Sequence, residues 1–343
     1  KVVEADGICS FHLAPHDGKP IPAFAPGQYL TFRLSIPGES KPVIRCYSLS
    51  SNYHPGFYRV SIKKVAPPPD KPKLPPGKSS SYFVDTVREG DLLDVRAPAG
   101  GFVLSDTDAP VVLIGGGIGV TPVLAMLRAL IAAGAKRETW FFYCIRNKSE
   151  HALKEEIEAL AAESPNVKLK VLYSNPTPND IEGKDFHEKG RISVDVLKKH
   201  LPSSNYEFYL CGPPAMMESM GEGLRGWGVP GERVFAEAFG PAAVKKTAAP
   251  AAAPAPGATG PKVTFAKSGK TVTWTGAHAN LLELAAACEI KIDSGCGAGS
   301  CGTCLTAMKE GSVDYVKKPD SMPEGGSCLV CIGVPKGDVV LDA

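Results

Sequence analysis

Between residues 242 and 261 the chain reads AAVKKTAAPAAAPAPGATGP. Nearly every side chain in that run is too small to build a core, and the prolines inside it break any alanine helix. Such a segment is a semi-extended linker, able to reach several tens of ångströms at ~3.1 Å per residue. It separates a long N-terminal part from residues 262–343, and a chain of 343 residues is expected to hold two or three domains in any case.

The remaining composition excludes several classes. Apolar residues make up 43% and charged residues 22%, as in ordinary globular protein, and a formal net charge of +2 gives no nucleic-acid footprint. No apolar run is long enough for a membrane span. The opening KVVEADGICSFHL reads as a strand rather than a signal segment, and further chain is expected upstream of Lys1. Cys9, Cys46, Cys144, Cys211 and Cys288 stand singly, whereas the other five cysteines crowd the C-terminal quarter. That asymmetry favours reduced thiols in a cytoplasmic protein with one metal site over a disulfide scaffold.

A change of texture near residue 105 marks a second boundary. Residues 1–105 alternate in short runs such as QYLTFRLSI and FYRVSIKKV, as in an antiparallel barrel, with VAPPPDKPKLPPG (65–77) as a Pro-rich surface loop. From Val111 onward strands alternate with helices. VVLIGGG, ETWFFYCIR, KLKVLYS and NYEFYLCG read as strands, and TPVLAMLRALIAAG and SEHALKEEIEALAAE as helices, which implies a parallel sheet covered on both faces. After the linker come KVTFA, KTVTWTG and a helix ANLLELAAACE.

Three stretches carry candidate chemistry in the first 241 residues. GGGIGVTP (115–122) follows a strand and opens a helix, so its glycines admit a pyrophosphate close to free N–H groups, with Thr121 as N-cap and Pro122 at the first helical position. CGPPAM (211–216) follows a later strand and should lie at the same carboxyl edge, where open α/β sheets bind ligands. In RCYSLS (45–50), Arg45 suits a phosphate, Tyr47 a flat ring and Ser48 a ring nitrogen, and GKSSSYF (77–83) is another anion-friendly turn.

Together these residues resemble the ferredoxin–NADP⁺ reductase superfamily, and the whole chain resembles its three-part oxygenase reductases, of phthalate dioxygenase reductase or phenylacetyl-CoA epoxidase reductase type. The resemblance implies a flavin-binding β-barrel at 1–105, an NAD(P)-binding α/β domain at 106–241, a linker at 242–261 and a β-grasp plant-type 2Fe–2S ferredoxin at 262–343. It further implies that Arg45, Tyr47, Ser48, Leu49, Ser61 and Lys63 bind flavin, with Gly77, Lys78, Ser79 and Ser80 as the second phosphate turn. Gly117, Gly119, Thr121 and Pro122 would form the nicotinamide and pyrophosphate loop, joined by Cys211, Gly212 and Pro213. Glu237 and Phe239 of EAF match the closing Glu-x-aromatic, whose ring covers the flavin, and Ser48, Cys211 and Glu237 would stand nearest the chemistry. APAGGF (97–102) and the long 65–77 loop resemble FAD-binding members more than FMN-binding ones. Glu150, where a relative preferring NADH carries an acid, favours NADH over NADPH, while Arg146 pulls the other way.

The chemistry explains the combination. A nicotinamide gives up two electrons as one hydride and an iron–sulfur cluster accepts them singly, so a flavin is needed between them.

CGAGSCGTC supplies Cys296, Cys301 and Cys304 at C-x4-C-x2-C, the plant-type 2Fe–2S spacing, whereas zinc prefers paired C-x2-C knuckles. Gly297 stands where the family usually has arginine. Cys328 and Cys331 compete for the fourth ligand. Similarity to the ferredoxin pattern L-x-C-x3-P picks Cys331, through Leu329 and Pro335, and in an extended segment the two thiols would point to opposite faces. The expected function is an NADH-dependent reductase serving a separate oxygenase or other metalloprotein. The alternatives are the reductase half of a longer self-sufficient oxygenase or dioxygenase, and an iron–sulfur redox sensor.

Overall fold

The protein is described from a computed structural model covering residues 1–67, 72–134, 136–239, 260–297, 299, 301–319 and 322–343. The expected linker lies outside these residues except for Gly260 and Pro261, as does the middle of the 65–77 loop. The chain forms two compact units. One comprises Lys1–Pro42 and Tyr47–Phe239; the other holds the described residues from Gly260 onward, with Val43–Cys46 assigned to it.

The N-terminal third is barrel-like. Strands β1 (Val2–Ala5), β2 (Ile8–Leu13) and β5 (Tyr58–Lys63) form one antiparallel sheet, and β3 (Tyr29–Leu34), β4 (Val43–Ser48) and β6 (Asp94–Val95) a second. A bridge between Leu49 and Val60 joins the two. The opening segment expected as one strand is a hairpin, because Asp6 and Gly7 turn the chain with Gly7 at φ +64°. Inside, Phe83 meets the rings of Phe11, Phe32 and Tyr47 edge-on at 5.2, 5.1 and 5.3 Å between centroids, the favoured aromatic geometry. Phe83 lies in a wide helical turn, Tyr82–Thr86, that continues the short helix α1 (Lys78–Ser81).

The next part is an all-parallel sheet. In chain order its elements are β7 (Val111–Gly116), α2 (Val120–Ala132), β8 (Thr139–Ile145), α3 (Lys154–Glu163), β9 (Val167–Tyr173), β10 (Glu188–Lys189), α4 (Val194–His200), β11 (Glu207–Gly212), α5 (Pro214–Gly226) and β12 (Val234–Ala238). Their spatial order is β10-β9-β8-β7-β11-β12. Leu113, Phe141 and Tyr209 pack on the α2–α3 face, Val112, Phe142 and Phe208 on the α4–α5 face, which is why these strands carry near-continuous apolar runs. Helix α3 starts at Lys154, later than SEHALKEE suggests. Leu153 takes a left-handed conformation at φ 60° and breaks the helical path after a single turn at Lys148–Glu150.

Among the described residues, the C-terminal unit is a mixed sheet with one helix. Strands β13 (Lys262–Phe265), β14 (Lys270–Thr273), β15 (Leu305–Glu310), β17 (Ser327–Leu329) and β19 (Val339–Leu341) run in the order β14-β13-β19-β15-β17, with β13 and β19 parallel. A separate pair joins β16 (Val313–Tyr315) to β18 (Gly333–Pro335). Helix α6 (Leu281–Ala287) packs Leu281 and Leu284 on Val263, Phe265 and Ile332, and Asn280 caps it by accepting the Glu283 N–H at 3.0 Å. Among the described residues no helix is long and apolar enough to cross a membrane.

Barrel and parallel sheet are braced by a part-buried carboxylate. Arg59 on β5 reaches Glu156 on α3 with both terminal nitrogens, at 2.6 and 2.9 Å, and Arg128 of α2 binds the same carboxylate. Burial alone would raise the Glu156 carboxyl, but the hydrogen bonds from Arg59 and Arg128 outweigh it and hold the group below its ordinary range. Removing the carboxylate would strand buried Arg59, so Glu156→Gln should cost about 3 kcal/mol of unfolding free energy in urea at pH 7. Because the native pKa is depressed, that contribution is complete above the unfolded carboxyl value of about 4.3 and fades as pH falls through the native one. The gap between the two proteins should therefore shrink in acid, and a gap that grows there would contradict the assignment.

Candidate functional site

The strand order reverses at β7, with β8 on one side and β11 on the other, and ligands bind at the carboxyl ends around such a switch point. Two loops meet there. A Cβ on Gly119 would run into the Cys211 carbonyl, so the turn after β7 lies directly against the Cys211–Gly212 backbone and only glycine permits the approach. A Cβ on Gly116 would run into Met216 and Pro213. Gly117, at φ +55°, borders open space. Thr121 is not the N-cap. Gly117–Gly119 already form a helical turn, α2 begins at Val120, and the Thr121 hydroxyl donates to the Ile118 carbonyl at 3.0 Å. Pro122 falls in the first turn, where its missing N–H costs nothing.

On the barrel side, the Tyr47 hydroxyl lies 2.8 Å from Ser79 Oγ, joining β4 to α1. Ser80 is buried and donates to the Gly77 carbonyl at 3.0 Å while accepting the Val65 N–H at 3.1 Å. Lys78 pairs with Glu39 at 2.7 Å, and Arg45 is exposed, resting on the Ile44 carbonyl at 2.6 Å. Leu49 is fully buried, its N–H bonded to the Gln28 carbonyl at 2.9 Å. Ser61, expected among the flavin-binding residues, has two serine partners. It lies 2.7 Å from Ser10 Oγ and 2.8 Å from Ser50 Oγ, on the same face of β5 as Arg59 and Lys63, because its register on β5 faces Ser10 of β2. Lys63, at the end of β5, reaches Glu150 rather than the α1 turn.

Ser48, Cys211 and Glu237 come together although they are far apart in sequence. Ser48 Oγ donates to Glu237 Oε2 at 3.5 Å, and Glu237 stands beside Cys211 in the β11–β12 ladder. Burial, reinforced by the Glu237 charge, pushes the Cys211 thiol well above its ordinary pKa, so it stays protonated and neutral. Phe239, just after β12, is 39% exposed and so is not a core residue.

The loop after β8 carries Arg146 and Glu150. Glu150 is not a lone carboxylate: Lys63 stands 2.8 Å from one oxygen and Arg146 3.6 Å from the other. Beside it lies a histidine that sequence reading passed over. His151 is buried with Nδ1 2.8 Å from the Tyr173 hydroxyl, and burial lowers its pKa to about 3, so it stays neutral. Its partner lies 22 residues away, and nothing in SEHALKE distinguishes it from a surface histidine.

In the C-terminal unit the four selected cysteines stand as two pairs. The Cys296 N–H donates to Cys301 Sγ at 3.2 Å and the Cys301 N–H to Cys296 Sγ at 3.3 Å. Cys304 and Cys331 share a thiol hydrogen bond, which lowers the pKa of Cys304 and raises that of Cys331. Among the described residues no three such ligands converge on one point, as a single metal ion would need. Two thiols on either side suit a two-iron, four-cysteine centre. The loop fits it further: the Gly299 N–H is directed at Cys331 Sγ, and at φ +74° a Cβ there would collide with Ile332. Gly297, in place of the family's arginine, has φ 65°. Ala298 and Ser300 lie outside the described residues. Cys328 is fully buried in the core, and burial pushes its thiol up to about 12. The opposite-face argument against it does not hold, because the chain turns between β17 and β18 instead of staying extended.

Comparisons with known proteins follow the same division. Residues 8–104 match the oxidoreductase FAD-binding domain, 113–222 the oxidoreductase NAD-binding domain and 265–336 the 2Fe–2S iron–sulfur cluster binding domain. The FAD/NAD-binding domain of nitric oxide dioxygenase from Vibrio cholerae is 32% identical, with a TM-score of 0.62, over 70% of this chain and 95% of its own. The chain belongs to the ferredoxin reductase-type flavoproteins, with a 2Fe–2S ferredoxin domain at its C-terminal end. Phthalate dioxygenase reductase, a modular structure for electron transfer from pyridine nucleotides to [2Fe–2S], aligns with 100% of this chain and 95% of its own at 28% identity and a TM-score of 0.59. The flavohemoprotein of Bacillus cereus is 44% identical over 244 residues, 71% of this chain, and that of Deinococcus radiodurans 39% over 241 residues. The chain spans 60% and 58% of the length of these two relatives. The domain matches make the family FAD- and NAD-binding, as the sequence resemblance implies.

Two outcomes test the residue assignments. Arg45→Ala should release flavin on gel filtration, since a charge-assisted phosphate contact is worth about 1.5–3 kcal/mol; full occupancy would refute its role. Cys331→Ser should abolish or strongly distort the visible 2Fe–2S absorption while Cys328→Ser leaves it nearly intact, and the reverse pattern would exchange the two.

Proposed function

We propose that the protein is an NADH-dependent reductase passing electrons from nucleotide to flavin to cluster, and on to a separate oxygenase or other metalloprotein. In this reading residues 1–105, 106–241 and 262–343 are the flavin, nucleotide and cluster modules and 242–261 is their tether. The carrying observation is the meeting of Ser48 from the barrel with Glu237 and Cys211 at the carboxyl edge of the sheet. A bound flavin would supply the exchange between two-electron and one-electron chemistry.

This chain's own residues do the rest. Tyr47, Ser79 and Ser80 shape a polar turn suited to a flavin phosphate, and Arg45 is exposed and can pair with one. Gly117, Gly119, Gly212 and Pro213 bring backbone close to the dinucleotide, and Thr121 and Pro122 hold the start of α2 behind it. Ser48 holds a proton between its hydroxyl and the Glu237 carboxylate, while neutral Cys211 adds no charge at that edge. Phe239 is exposed enough to cover a flat ring and to yield to another. Cys296 with Cys301, and Cys304 with Cys331, would each hold one iron. The similarity to phthalate dioxygenase reductase supports an oxygenase as partner. Ten cysteines without a disulfide support a reducing, cytoplasmic setting.

The full chain should oxidise NADH with either ferricyanide or cytochrome c as acceptor. Residues 1–241 alone should keep flavin and ferricyanide reduction, since barrel and sheet have their own cores, and should lose most cytochrome c reduction. A truncated protein that unfolds and sheds flavin would refute the modular assignment, and a full chain inert toward NADH and NADPH would refute the function.

A further inference from the structure

Strand β5 sends two cations from the barrel to the nucleotide sheet. Arg59 is committed to Glu156; the second is Lys63. Its ammonium takes Glu150 Oε2 at 2.8 Å, and the Arg146 guanidinium stands 3.6 Å from Oε1. The neighbouring cations are engaged elsewhere, because Lys148 and Lys154 both bind buried Asp185, at 3.0 and 3.3 Å. The Asp6 N–H donates to the Ser149 carbonyl at 3.0 Å, so the backbone around Glu150 is pinned to the barrel as well. Lys63 and Glu150 side chains are 31% and 19% exposed, which shields their pairing from solvent more than that of Arg146, 71% exposed.

A carboxylate at this end of the second sheet strand accepts ribose hydroxyls and repels a 2′-phosphate. Here it faces two positive groups, so its repulsion is offset, and the same two groups can pair with a phosphate. We infer that Lys63, a residue of the flavin barrel, determines nucleotide specificity by setting how much of the Glu150 charge the ribose meets. This deepens the NADH reading above and rests on it. The barrel then tunes nucleotide choice from outside the nucleotide domain, and Glu150 and Lys63 act in opposite directions on it.

The test uses the full chain as wild type, Lys63→Met, Lys63→Arg, Glu150→Gln and the Lys63→Met/Glu150→Gln double variant. One readout is the ratio of kcat/KM for NADH over NADPH with ferricyanide. The other is calorimetric titration with 2′,5′-ADP and with 5′-AMP, which needs no turnover. Lys63→Met should raise the ratio by about three- to tenfold and weaken 2′,5′-ADP by a similar factor while 5′-AMP changes little. Glu150→Gln should move both readouts the other way, the double variant should fall between, and Lys63→Arg should match wild type. If Lys63→Met leaves the discrimination unchanged, or weakens both nucleotides equally, the pair is only a brace and the inference fails. Absence of any NADH or NADPH oxidation by wild type would overturn the functional reading instead, and the titrations would still decide the role of Lys63.

Discussion

A carboxylate held between two guanidiniums fixes how the first unit works. Glu156 receives Arg59 from the barrel and Arg128 from the sheet layer, and Arg59 also binds Ser50, two residues beyond Ser48. A flavin on one domain and a nicotinamide on another react only if the two are held in near-contact geometry, where an error of an ångström is costly. Surface ion pairs cannot impose that, being worth little and screened by salt. A doubly bonded pair with a buried arginine can, because any rotation of barrel against sheet would leave Arg59 without a counter-charge. The 3.5 Å approach of Ser48 to Glu237 thus depends on a contact made by other strands.

The second unit solves a different problem. Thiolates repel one another and are costly to bury, so a four-cysteine centre needs a loop that supplies N–H groups to the sulfurs. The sequence meets this with glycines in left-handed conformations at 297, 299 and 302, which turn the backbone inward. The Cys304–Cys331 pair lies at the edge of a core formed by Leu281, Val330 and Ile332. Cys328 lies in the same core, where burial pushes its thiol up and leaves it protonated at neutral pH.

Much of this was legible in the chain. VVLIGGG, ETWFFYCIR and NYEFYLCG announce buried parallel strands because both faces of that sheet are covered, leaving no polar alternation to confuse the period. The glycine turn, the CGP loop and the cysteine spacing are local, so each could be read in place. What escaped is non-local or conformational. Ser61 looks like any strand serine until β2 is known to place Ser10 opposite it. The late start of α3 depends on a left-handed Leu153, against the usual preference of leucine. Lys63 and Glu150 stand 87 residues apart, and Arg59 and Glu156 97, so no window of sequence shows either pair.

The distribution of charge along β5 gives these contacts a common logic. Arg59 and Lys63 are four residues apart on one strand, which places them on the same face and about 13 Å apart. Glu150 and Glu156 flank the left-handed Leu153, so the chain between them is bent into the short span these cations can bridge. Arg59 is buried and meets a carboxylate already shared with Arg128, which makes that contact stiff. Lys63 is partly solvated and meets a carboxylate that Arg146 also approaches at longer range, which makes that contact exchangeable. A single strand thus presents a fixed anchor and a releasable one to the same segment of the nucleotide domain. On the proposed reading, two residues of one β-strand hold the barrel on the nucleotide domain and bear on recognition of the ribose.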